Sequence, residues 1–280
     1  MVGIERPHTI RDVFYPRPAG GSRQVGGRIT DAADTPYVER AIAPEEETWT
    51  ELREHLNQVA GDTNRVVQIK TEVLFRMAKG EERGDRTVRP FVTQLEKYIR
   101  AFQIDVNARG ENGTTALMVA AANNRGFHVH RLLQSGADPN IKNSMGETAL
   151  MWAAAYGAET PIRHFREMTG VQNPIPVDFD AVDNLGWNAL MVAAWCGNYA
   201  SVDRLYNKTN NKARKDTWGR DATALAKDPA SPATLRTTPD DKVVDTVTSI
   251  LSGRSPLRAQ RAGRKRTYRL KTKDKKRGTR

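Results

Sequence analysis

One cysteine, Cys196, is all the thiol chemistry this 280-residue sequence holds. A lone thiol cannot close an intramolecular disulfide, which excludes a disulfide-stapled scaffold and fits an intracellular, reducing compartment. Histidine is scarce as well, with five in the chain, and only His128 and His130 stand close together. Two histidines two residues apart, with no Asp, Glu or Cys at matching spacing, leave no metal site to expect. No Gly-rich phosphate loop follows a strand pattern and no nucleophile signature is present, so the sequence predicts no enzyme, no cofactor and no small-molecule substrate. It also lacks any apolar run of the roughly 20 residues that a membrane-crossing helix needs, so no transmembrane segment is expected.

What the chain has instead is self-similarity. Gly113 to Ala121 reads GTTALMVAA, Gly146 to Ala154 reads GETALMWAA, and Gly186 to Ala194 reads GWNALMVAA. The intervals from Gly113 to Gly146, Gly186 and Gly219 are 33, 40 and 33 residues, the mark of a repeat architecture. Thr115, Thr148 and Asn188 are placed to open short helices by accepting an orphan backbone N–H, and the alanine pairs after them keep those helices thin enough to stack. Gly157 and Gly197 stand nine residues after their caps, where a left-handed residue ends a helix and turns the chain back. Apolar pairs such as Leu132 with Leu133 and Leu205 with Tyr206 then belong to a second helix of each unit.

The phase extends beyond the core motif, through Asp105-Val106-Asn107, Gly136-Ala137-Asp138 and Asn140. On these residues the chain resembles the ankyrin-repeat family over roughly residues 65–253. The resemblance implies an all-α, ankyrin-type helical solenoid of about five repeats, two of them degenerate caps, acting as a binding module without chemistry of its own. Partners in that family lie across the hairpin tips and inner helices, on the concave face. Carried over by position, the protein-binding candidates are Arg109, Asn112, Lys142, Met145, Asp183, Leu185 and Trp218 at the tips, with Tyr156 and Trp195 just before the helix-ending glycines. Large aromatics there need either cover or a partner. Trp152 replaces Val119 and Val192 in a core phase and is expected to be structural. The family's usual histidine after the leucine is replaced by Met118, Met151 and Met191, which substitutes adaptable apolar filling for a polar bridge.

The flanks divide the rest of the chain. Thr71 to Gly80 keeps the cap-to-glycine spacing of nine and marks a degenerate first unit, whose second helix is Pro90 to Phe102. After Gly219 the motif departs by about one residue, and Val243, Val247 and Ile250 supply a closing helix. Between the third and fourth units, Thr169 to Pro176 carries two prolines and a glycine and reads as a surface loop, either plain length variation or a contact finger. Residues 44–64 contain an amphipathic helix with Trp49, Leu52, Leu56 and Val59 on one stripe. Residues 1–43 are broken by proline and glycine throughout and read as an extended arm. Residues 6–30 of that arm hold five arginines against Asp12 alone, a weak organelle-targeting signal.

The net charge of +11 is confined to one end. Residues 254–280 contain thirteen Lys and Arg against Asp274, a net +12, while the other 253 residues balance 31 basic against 32 acidic groups. Such a tail cannot fold alone. It offers Arg258, Arg261, Arg264, Lys265, Arg266, Arg269, Lys271, Lys273, Lys275, Lys276 and Arg277 to phosphates, with Tyr268 placed to stack on a base. Nuclear import, attachment to an acidic protein or membrane surface, and plain solubility are the competing readings. The expectation is therefore a non-catalytic adaptor or structural subunit of a large assembly: a solenoid that binds protein, a tail that binds RNA, and a peripheral place in a ribosome-like particle, with a mitochondrial one among the candidates. Mitochondrion or another organelle and the nucleus are the alternative compartments. The competing function is a protein-only scaffold, nuclear or cytoskeletal, whose tail localises it.

Overall fold

The structure is a computed structural model, and it describes residues 33–41, 46–80, 88–167, 175–228 and 242–254. The arm before residue 33, most of the 169–176 loop and the tail after Arg254 lie outside the described residues. Those described form twelve helices and no strand: α1 (Thr35–Ala41), α2 (Glu46–Gln58), α3 (Thr63–Lys79), α4 (Val88–Phe102), α5 (Ala116–Ala122), α6 (Gly126–Gln134), α7 (Ala149–Tyr156), α8 (Glu159–Glu167), α9 (Ala189–Trp195), α10 (Tyr199–Tyr206), α11 (Ala222–Lys227) and α12 (Lys242–Leu251).

From α3 onward the helices come in pairs, and the pairs stack in two layers. α3, α5, α7, α9 and α11 pack in succession as the inner layer, and α4, α6, α8, α10 and α12 follow as the outer one. The inner helices can approach closely because their buried faces are alanine: Ala120, Ala121, Ala153, Ala154, Ala193 and Ala194 have no exposed surface. Leu132, Val129, Ile162, Phe165, Val202 and Leu205 fill the space between the layers. The seams are therefore mainly apolar, with Arg125 and Asn198 donating across them to the Lys79 and Ala154 carbonyls, and the stack is held by contacts between neighbours.

The expected caps are formed. Thr115, Thr148 and Asn188 accept the N–H of Met118, Met151 and Met191 at 3.4, 3.4 and 3.0 Å, and Gly157 and Gly197 adopt φ of 66° and 69° after α7 and α9. In the last pair Asp221 accepts from Ala224 at 2.8 Å. It stands two residues after Gly219, as Asn188 stands two after Gly186, so the register there is unshifted and a carboxylate replaces the hydroxyl.

Two expectations fail at the N-terminal end. Thr71 is no cap: it lies inside the 17-residue α3, buried, its hydroxyl donating to the Val67 carbonyl at 2.7 Å, and the helix is opened by Asp62, which accepts from Arg65. A helix longer than two turns carries a Thr nine residues before its terminal glycine without using it. The arm also does not run extended to residue 43. Residues 35–41 form α1, which packs on α2 and α3 with Val38 and Ala41 fully buried, and Pro36 sits in the first turn where its missing N–H costs nothing.

A polar clamp holds this end. Asp34 is buried and takes the Arg65 guanidinium on both oxygens, at 2.8 and 3.1 Å, and the His55 ring at 2.8 Å, while Tyr37 stacks flat on His55 at 3.9 Å. The Arg65 charge holds the Asp34 carboxyl below the usual carboxylate range despite burial. Trp49 of α2 donates to the Ala41 carbonyl and meets Tyr98 and Phe102 of α4 edge-on.

Candidate protein-binding face

The tips between units are built by one side chain in each. Asn143 Oδ1 accepts the N–H of Met145 and Glu147, Asp183 Oδ1 those of Leu185 and Trp187, and Asp216 Oδ1 those of Trp218 and Arg220, all at 2.8–3.0 Å. Each acceptor folds its tip back on itself, and the glycine that follows (Gly146, Gly186, Gly219) takes φ near 80°. Burial raises the Asp183 carboxyl above its ordinary value, against the two N–H groups that it accepts.

Successive tips are joined by one backbone hydrogen bond apiece. Ser144 N–H donates to the Asn112 carbonyl at 2.8 Å, Asn184 N–H to Met145 at 3.0 Å, and Thr217 N–H to Leu185 at 3.2 Å. A second line of contacts runs through the unit openings. The Asn107 side chain donates to Gly136 and accepts from Asp138; the Asn140 side chain donates to Pro176 and accepts from Asp178. Asp180 continues the line by accepting from Asn210 and Asn211. The tip array is thus one continuous hydrogen-bonded edge.

On this edge most of the sequence-predicted residues come together. Arg109 and Lys142 are exposed and point along it, Arg109 Nη1 to the Lys142 carbonyl at 3.5 Å and Lys142 Nζ to the Val182 carbonyl at 2.7 Å. Asn112 holds a left-handed φ of 56°. Met145 and Leu185 are half-buried, and Trp218 is 51% exposed. Tyr156 is half-buried against the core, away from the tips at the far end of α7.

Trp195 corrects the reading. Its position before Gly197 resembles a surface aromatic, but the side chain turns inward, 4% exposed, and meets Trp187 at 5.4 Å between ring centroids. It is a core residue of the α9 seam. Trp152 is structural as expected, its indole N–H donating to the buried Glu147 carboxylate at 2.9 Å, which also receives the Asn143 amide at 2.8 Å. Arg258 through Arg277, with Tyr268, lie outside the described residues.

Sequence reading missed Arg214 and Arg220. Arg220 pairs with Asp216 at 2.9 Å and Asp228 at 3.0 Å, and its guanidinium lies 5.8 Å from the Trp187 ring and 5.1 Å from the Trp218 ring. The i, i+4 spacing of Asp216 and Arg220 was the available signal. It also missed exposed Phe127 and Tyr199, at the starts of α6 and α10. Among the described residues no group of three or more His, Cys, Asp or Glu is arranged to hold a metal ion, and no helix is long and apolar enough to cross a membrane.

A family model described as ankyrin repeats (3 copies) matches residues 88–164 and, overlapping them, 117–216. The protein belongs to the ankyrin-repeat family. The Ankyrin repeat domain-containing protein 63 of Homo sapiens is 34% identical over 125 residues, covering 43% of this chain and 29% of that protein. Its Mus musculus counterpart is 34% identical over 121 residues, covering 42% and 27%. The chain thus spans less than a third of the length of these relatives, and α1 to α3 with α11 and α12 fall outside the family match. Ankyrin repeats imply a protein-interaction role, and the ankyrin units here present a rigid tip edge suited to one.

Proposed function

We propose that this protein is a non-catalytic ankyrin adaptor whose tip edge and inner helices bind protein while its basic tail binds RNA, in a peripheral place on a ribosome-like particle. The observation that carries the protein-binding part is Trp218: an indole half in water, at the end of a hydrogen-bonded edge, with Arg220 beneath it. Exposed aromatics beside an arginine are the residues that most often dominate binding energy. The tail reading is supported by charge alone, since its net +12 sits on a body of −1. Two weak attachments to one particle raise each other's effective concentration.

The test is to remove residues 254–280 and follow RNA retention through a salt series. A polyanion contact predicts that log K falls with log salt by about 0.7 to 0.9 per phosphate engaged, and that the slope disappears with the tail. RNA association that survives the deletion, or that ignores salt, refutes the RNA arm. Purifying the native complex and asking whether nuclease releases the protein decides between the particle and a protein-only scaffold.

A further inference from the structure

The tip edge carries two rows in register. One repeat position holds Arg109, Lys142, Val182 and Lys215; three residues on, the next holds Asn112, Met145, Leu185 and Trp218. The first row is cationic in three of its four units, and the second is apolar in three. Arg109, Lys142 and Lys215 are all exposed. None of the three forms an ion pair among the described residues, whereas the helix arginines Arg76, Arg100 and Arg204, and Arg220 of the last tip, are each within 3.0 Å of a carboxylate. Lys142 carries its ammonium over the Val182 carbonyl, so the row's one neutral position has a cation above it. Both Arg109 and Lys142 spend one donor on a neighbouring carbonyl and keep others free. The acids nearby offset the row only in part: Asp216 is buried and paired with Arg220, Asp183 feels the Lys142 charge but is half-buried and committed to two backbone N–H groups, and Glu111 is exposed.

Building on the protein-binding reading above, we infer that the tip edge receives an extended acidic segment of the partner protein, with carboxylates over the cationic row and an apolar residue packed on Trp218. Packed helices lie about 8–10 Å apart and an extended chain advances about 3.3 Å per residue. One ankyrin unit therefore matches about three residues of the segment, so an acid recurs every third residue. The apolar row favours such a peptide over a nucleic acid, since phosphates would use the cations and leave Met145 and Leu185 without purpose.

The experiment uses the full chain and four fluorescent probes at physiological salt: a 12-residue peptide with Glu at every third position and two leucines, the same peptide with Lys for Glu, the same with Ser for Leu, and oligo(U). Each peptide carries a photo-reactive group beside the apolar position. The acidic, leucine-bearing peptide is expected to bind best and to crosslink within residues 142–218. Arg109→Gln/Lys142→Gln/Lys215→Gln and, separately, Trp218→Ala are each expected to weaken it about tenfold, the scale of a few exposed charge contacts or one anchor. Unchanged helical circular dichroism shows that the variants are folded. Crosslinks confined to residues 255–280, equal binding of the serine peptide, or oligo(U) competing at the tips overturns the inference. If a native partner protects the tips from hydrogen exchange while no acidic peptide binds, the segment chemistry is wrong and the protein-binding face stands; if no partner protects them, that face itself fails.

Discussion

Replacing Gly126 by alanine tests the seam between the second and third units. Gly126 opens α6, and a methyl built on it would lie 2.2 Å from Thr160 Cγ2, 2.9 Å from Thr160 Cβ and 3.1 Å from His164 Cδ2. No side-chain contact survives at 2.2 Å, so α6 and α8 must separate or Thr160 must leave its rotamer, at about 1–3 kcal/mol for overpacking. Alanine in place of glycine gains at most about 1 kcal/mol of helix propensity, and less at a helix start. The clash wins, and Gly126→Ala is expected to destabilise by about 1–2 kcal/mol, read as a lower urea midpoint and faster amide exchange in α6 and α8. Thr160→Ala removes the nearest atom. In that background the Gly126→Ala penalty should fall by at least about 1 kcal/mol, a coupling within the range of touching residues. A full-size penalty in both backgrounds, or none in either, refutes the packing argument.

Burial pushes His128 down to about 4, with the Arg125 charge adding to it, and lowers His164 as well. The folded state therefore prefers neutral His128 while the unfolded chain protonates it near pH 6.5, so stability is full above 6.5 and declines as pH falls to 4. That displacement, from the ordinary 6.5 to about 4, corresponds to about 3 kcal/mol, and His128→Leu should flatten that stretch of the pH–stability curve. Asp221→Ala removes the cap of α11 and should cost about 1 kcal/mol, with exchange protection lost chiefly in α11 and α12; uniform loss along the stack would contradict nearest-neighbour stabilisation.

Local signals were the legible ones. The caps at Thr115, Thr148 and Asn188 and the turn glycines act within four residues, so sequence alone placed them, and the three alanine-rich motifs located the inner layer. What escaped depended on contacts distant in sequence. Nothing near residue 38 announces that Val38 will be buried where α1 packs on α2 and α3, and the prolines around it suggested the opposite. Thr71 satisfied a spacing rule inside a helix long enough to make that rule ambiguous. Trp195 was misread because the motif does not reveal that its ring turns back onto Trp187, which precedes the cap at the other end of α9. At the candidate site the tip residues followed from the period, while the Arg220 bridge between Asp216, Asp228 and two indoles required the fold.

The clamp of Asp34, Arg65 and His55 bears on more than local stability. A stack of identical layers has no intrinsic reason to stop, because the face that receives the next layer looks much like the one already covered. α1 and α2 lie over that first face with a buried charge network, where another molecule's terminal unit would otherwise find the Tyr98 and Phe102 rings to dock on. Breaking the network by Asp34→Ala would loosen this cover and expose the end of the stack, a face open to head-to-tail contact with a second copy.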